Sequence, residues 1–69
     1  IKPTVFNSAD EAAVELFMQG KISYLGISDA IAKAMSEIKN IENPTISDIW
    51  ETDKLAREIV YRLEKESLI

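Results

Sequence analysis

The chain has 69 residues, with eight Lys and Arg against twelve Asp and Glu and a formal net charge of −4; its isoelectric point is near 4.6. That balance argues against nucleic acid and against an anionic membrane surface as partners, because both are bound by neutralising phosphate with basic side chains. The absence of Cys and His excludes disulfides and thiol chemistry, and removes the usual ligands of zinc and the usual acid–base catalyst.

Residues 1–7 are predicted to be an extended arm, since Pro3 disfavours helix at Lys2 and Thr4, Val5 and Phe6 prefer β conformations. Ser8 and Glu11 have capping-box spacing, which places the first helix at about 9–19, with acidic residues in its first turn. Gly20 is positioned to end it in the left-handed conformation. The connector KISYLG offers Ile22 and Leu25 as buried anchors. Ser28 is read as the cap of a second helix at about 29–39, whose Ile31, Ala34, Met35 and Ile38 share one face, with Asn40 as its stop. Asn43 before Pro44 should leave the helical region. Thr45 with Asp48 caps a short helix at about 46–50, and Thr52 caps the last one at about 53–66. The stripe of that helix is Leu55, Ala56, Ile59, Val60 and Leu63. Its outer face pairs Asp53–Arg57, Lys54–Glu58, Glu58–Arg62 and Arg62–Glu66 at i, i+4, each worth about 0.2–0.5 kcal/mol. The expected fold is all-α, a small bundle of three main helices plus one short helix, with an extended N-terminal arm.

A chain of this size is one small domain or part of one, and it buries only roughly 60% of its unfolded surface. A first residue of Ile1 rather than Met suggests a piece of something longer. The longest apolar runs are a few residues, too short to span a membrane, and no leader is visible.

Little chemistry is on offer. Gly20 and Gly26 are the only glycines and lie too far apart for a phosphate-cradling loop. The Ser and Thr residues lack an adjacent base and are accounted for as caps. Asp10, Glu11 and Glu15, and likewise Asp48, Glu51 and Asp53, are candidate metal ligands, but acids at helix starts have a simpler explanation in the dipole. Trp50 is expected to be the largest core anchor, packed among Leu55, Ile59 and Met35. A carrier-type protein would need Asp before a helix-start Ser, whereas Ser28-Asp29 and Ser47-Asp48 run the other way.

Two separated motifs nevertheless carry a resemblance. Asn7, Ser8, Ala9, Asp10 and Glu11, followed by Ala13-Val14, Phe17, Gly20, Lys21, Ile22, Tyr24 and Ile27, form the first. Pro44, Thr45, Asp48 and Ile49, then Asp53, Ala56, Arg57 and Glu58, form the second. Over about residues 3–62 the chain resembles the C-terminal region of the 1-deoxy-D-xylulose 5-phosphate reductoisomerase family, with Ser8 where the family has Ala and Asp10 where it has Asn. The resemblance implies that residues 1–69 are the C-terminal helical domain of a larger, bacterial, cytoplasmic enzyme. That enzyme converts its substrate to 2-C-methyl-D-erythritol 4-phosphate with NADPH and a divalent cation (Mg or Mn), in the non-mevalonate route to isoprenoids. It implies further that the NADPH site lies in an N-terminal Rossmann-like domain and the metal and substrate ligands in a central one. This piece would then hold no catalytic, cofactor-binding or metal residue and would serve as structural support. The rival expectation is a free-standing acidic interaction or carrier module.

The implied partners are the remaining domains of the parent, with homo-oligomers as a further expectation. In the family another helix precedes the first motif and belongs to the same bundle. A face of Phe6, Val14, Phe17 and parts of the last helix is therefore expected to be uncovered, to be closed by self-association or by the arm through Ile1, Val5 and Phe6.

Overall fold

The computed structural model describes all 69 residues. Three helices follow one another, α1 Lys2–Met18, α2 Tyr24–Glu37 and α3 Ile46–Lys65, with no strand. The central helix is α1: it packs against both α2 and α3, which touch each other little.

The first helix begins at the chain's second residue, so the extended arm is not there. Pro3 lies in the first turn, where its missing N–H has no intrahelical acceptor to lose and its fixed φ suits the helix. The β preference of Thr4–Phe6 yields to burial: Val5, 2% exposed, continues the inner face of Ala9, Ala12, Ala13 and Leu16. Ser8 is therefore an interior position of α1, buried rather than capping. At the other end the expectation from Gly20 holds. It has φ +75°, its N–H donates to the Phe17 carbonyl and that of Lys21 to the Leu16 carbonyl, both at 2.9 Å. That pair of bonds is the Schellman arrangement, and it needs a residue that tolerates positive φ.

The second helix starts five residues before its expected start, capped by Ser23, whose hydroxyl accepts from the Gly26 N–H at 3.2 Å. Ser28 is inside α2. The backbone of Gly26 lies close to Ile22, and a Cβ there would sit 3.3 Å from that side chain. Ile22 is buried as expected, but Leu25 faces solvent. Ala30 and Ala34 are fully buried, and Ile27, Ile31, Met35 and Ile38 lean on the core around them. The helix ends at Glu37, ahead of Asn40. Asn43 leaves the right-handed helical region with φ +52°.

Thr45 and Asp48 form a reciprocal capping box: the Asp48 N–H donates to Thr45 Oγ1 at 3.0 Å, and the Thr45 N–H to Asp48 Oδ2 at 2.9 Å. The helix they open runs without interruption to Lys65, so the expected short helix and last helix are one. No Gly or Pro falls between Trp50 and Asp53, and Thr52 is buried in line with Ala56, Ile59, Val60 and Leu63. A residue continuing the inner face one turn back extends a helix rather than capping a new one. Leu55 falls off that face and is exposed.

Half of the twelve buried apolar side chains are alanine: Ala9, Ala12, Ala13, Ala30, Ala34 and Ala56, each fully buried. Small contact residues let helices approach at the short end of the usual 8–10 Å. The inner face of α3 runs through Thr52, Ala56, Ile59, Val60 and Leu63, and Trp50 stands off that face, 75% exposed. The expectation of Trp50 as core anchor is overturned on that ground.

Candidate functional site

Polar side chains converge between α1 and α3. The Ser8 hydroxyl donates to Asp53 Oδ1. Arg57, one turn after Asp53, donates from Nε to the same oxygen at 3.1 Å and from Nη2 to Glu11 Oε1 at 2.7 Å. Further along, the Tyr61 hydroxyl faces Glu15 Oε1 at 3.4 Å. Ser8, Glu11 and Glu15 present one flank of α1, and Asp53, Arg57 and Tyr61 the facing flank of α3, one turn apart each. On the other side Arg62 Nη2 donates to both carboxylate oxygens of Glu37 at 3.0 Å, tying α3 to α2.

The electrostatics follow from these contacts. The Ser8 hydrogen bond, aided by Arg57, holds the Asp53 carboxyl below the ordinary carboxylate value against a partial desolvation. Partial burial and the neighbouring Glu15 push the Tyr61 phenol up. A charged carboxylate matched by a hydroxyl and a guanidinium is positioned to hold two helices together. It is not poised to exchange protons near neutrality.

The earlier metal candidates are dispersed among these roles. Glu11 and Asp53 are held by Arg57, Glu15 faces Tyr61, and Asp48 is in the α3 capping box. No three of the Asp and Glu side chains are grouped to hold a metal ion. Of the i, i+4 pairs expected on α3, Asp53–Arg57 forms, while Arg62 turns to Glu37 instead of Glu58 or Glu66. The link from Ser8 and Glu11 to α3 was missed because their spacing imitates a capping box. The signal available was that i, i+3 residues also share a helix flank.

Large apolar side chains are exposed at several places, Ile41 and Leu55 beside the α2–α3 connection and Leu68 near the C-terminus among them. Phe6, Val14 and Phe17 on α1 are uncovered as expected, joined by Met18, Tyr24 and Leu25. There the Phe17 and Tyr24 rings meet edge to face with centroids 6.0 Å apart. Beside the first turn of α1, Thr4, Ile49, Trp50 and Asp53 line a groove of about 290 Å³; Ile46, one turn before Trp50, is exposed. No helix is long and apolar enough to cross a membrane.

Among known proteins, the chain is 44% identical over 63 residues to the 1-deoxy-D-xylulose 5-phosphate reductoisomerase of Halalkalibacterium halodurans, covering 91% of this chain and 16% of that protein. It is 48% identical over 58 residues to the like-named protein of Caldanaerobacter subterraneus subsp. tengcongensis, covering 84% and 15%. To that of Thermoanaerobacter pseudethanolicus it is 49% identical over 55 residues, covering 80% and 14%. The chain thus spans about a sixth of the length of these bacterial relatives. No solved structure matches it. The family model of the DXP reductoisomerase C-terminal domain matches residues 1–59, and with relatives this similar the chain belongs to that family.

Proposed function

We propose that the chain is the C-terminal support domain of a 1-deoxy-D-xylulose 5-phosphate reductoisomerase, contributing packing and no reacting group. The family match over residues 1–59 carries the assignment. The parent would be a cytoplasmic bacterial enzyme of isoprenoid biosynthesis, using NADPH and a divalent cation, Mg or Mn. The residues present here do not fit either group. The carboxylates facing the helix interfaces are engaged by Ser8, Arg57 and Arg62, and the two glycines serve a helix end and a close approach to Ile22. Substrate, nicotinamide and metal are therefore assigned to the remainder of the parent, which is also the domain's partner.

Two measurements test this. Calorimetric titration of NADPH into the 69-residue chain should give no saturable heat; saturable binding would overturn the assignment. Removing these residues from the parent should lower its thermal midpoint. An unchanged midpoint would mean that the domain supports nothing.

A further inference from the structure

The polar contacts between α1 and α3 climb both helices together: Ser8 meets Asp53, Glu11 meets Arg57 and Glu15 meets Tyr61. The two helices therefore run parallel, and the contacts form a ladder with one rung per turn. The apolar surface beside the ladder is poorly marked for height. Ala9 and Ala13, one turn apart, are both fully buried, and Ala12 lies between them. The middle of α1 thus offers a neighbouring helix nearly the same surface at two levels. Helices packed through such surfaces can shift past one another by whole turns. The ladder distinguishes the levels. A slip of α3 by one turn toward the end of α1 sets Asp53 against Glu11, two carboxylates, and leaves the buried Ser8 hydroxyl facing Ile49. The opposite slip carries Arg57 away from Glu11, the only ion pair that joins these two helices. Only the observed setting matches every rung.

We propose that the Ser8–Asp53, Glu11–Arg57 and Glu15–Tyr61 ladder fixes the register of α1 against α3, and that the alanine-rich seam without it admits a second register one turn away. The seam supplies cohesion, and the ladder selects among the settings that cohesion alone leaves close in energy. Polar contacts suit that task because they are satisfied at one height only.

The test uses the full-length parent, freed of other reactive cysteines and carrying nitroxide spin labels on Gln19→Cys and Ser47→Cys. Both positions are exposed and stand clear of the ladder. Pulsed electron spin resonance should give one narrow separation between the labels. The variant Ser8→Ala, Asp53→Ala, Arg57→Ala removes the first two rungs with the best helix former, so both helices persist. It should keep a cooperative thermal transition and add a second population, displaced by about 5 Å, one helical turn. A second variant, Arg57→Glu, sets a carboxylate between Glu11 and Asp53 in the observed register. A slip toward the start of α1 relieves it, bringing the new carboxylate to the Ser8 hydroxyl and Asp53 to Thr4, whereas the reverse slip sets it against Glu15. Its separation should therefore lengthen, not shorten. The original separation in either variant, or a shortened one in the second, overturns the proposal. Loss of the folded state in the alanine variant overturns it as well, since the ladder would then hold the bundle together rather than align it.

Discussion

Residues in rare backbone conformations decide how two of the helices end. Gly20 and Ser67 occupy equivalent places, each after a helix and each with positive φ, +75° and +58°. Ser67 repeats the Schellman bonds of Gly20, with Leu68 N–H to the Leu63 carbonyl at 2.8 Å and Ser67 N–H to the Glu64 carbonyl at 3.0 Å. A side chain in the left-handed region costs roughly 1–2 kcal/mol that glycine avoids. The two sites should therefore respond with opposite signs. Gly20→Ala should destabilise the chain by about 1 kcal/mol and Ser67→Gly should stabilise it by up to about 1 kcal/mol. Both should appear as shifts in urea midpoint at unchanged slope. Two titrations act at the same scale. The Asp53 carboxyl has a lowered pKa in the fold, so the unfolded chain binds more protons between the folded value and about 4. Its contribution is complete above pH 4 and is lost as pH falls through the folded value. The Tyr61 phenol is raised, so its contribution is complete below about pH 10 and fades above it. Asp53→Asn should flatten the acid limb of a stability–pH curve and leave the alkaline limb alone; an unchanged acid limb would mean that Ser8 and Arg57 do not stabilise the charge.

Among the elements, what could be foreseen depended on how local the determining contacts were. The α3 start is written within four residues, Thr45 to Asp48, and the α1 stop rests on Gly20 alone, so both were legible in the sequence. The Ser8–Glu11 pair has the same spacing as the Thr45–Asp48 box, yet its partners lie some 45 residues away on α3, and only the fold distinguishes the two. Thr52 misled in the same way: a hydroxyl residue followed by an acid reads as a cap until burial shows it on the inner face. Trp50 was misplaced because the register of the continuous α3 sets its inner face on Thr52, Ala56, Ile59 and Leu63 and leaves position 50 off it. Of the support role and its exposed faces, the Phe6–Val14–Phe17 strip was legible and the Trp50 groove was not. The continuity of α3 has a direct test in Lys54→Pro. At the second position of a helix capped by Thr52, proline would be tolerated; inside a continuous helix it costs about 3 kcal/mol or more. The exposed Lys54 side chain has little to lose, so a large fall in thermal midpoint, followed by far-UV circular dichroism, is the expected outcome. Trp50→Ala in the 69-residue chain should by contrast change stability by no more than about 0.5 kcal/mol, as an exposed substitution does.

At the scale of the whole molecule, one helix holds the other two. The bundle measures 36 × 18 × 17 Å, and because α2 and α3 barely touch, α1 carries both interfaces. Its inner face is Val5, Ala9, Ala12, Ala13 and Leu16, so three alanines set how closely two neighbours approach it. The charged contacts between helices add little, since Arg57–Glu11 (α3 to α1) and Arg62–Glu37 (α3 to α2) are half-exposed pairs of a kind worth about 0–1 kcal/mol. Cohesion therefore rests on close apolar packing in a domain whose total stability, for its size, is only about 5 kcal/mol. Three added carbons in that packing cost about 1–3 kcal/mol through forced backbone shifts, a large part of the total. Ala12→Leu should consequently weaken or abolish the cooperative thermal transition, whereas Ala32→Leu, a like change on the exposed face of α2, should leave it in place. Equal midpoints for the two variants would show that the helices stand far enough apart to admit a leucine, and the alanine seam would then not be what holds the bundle.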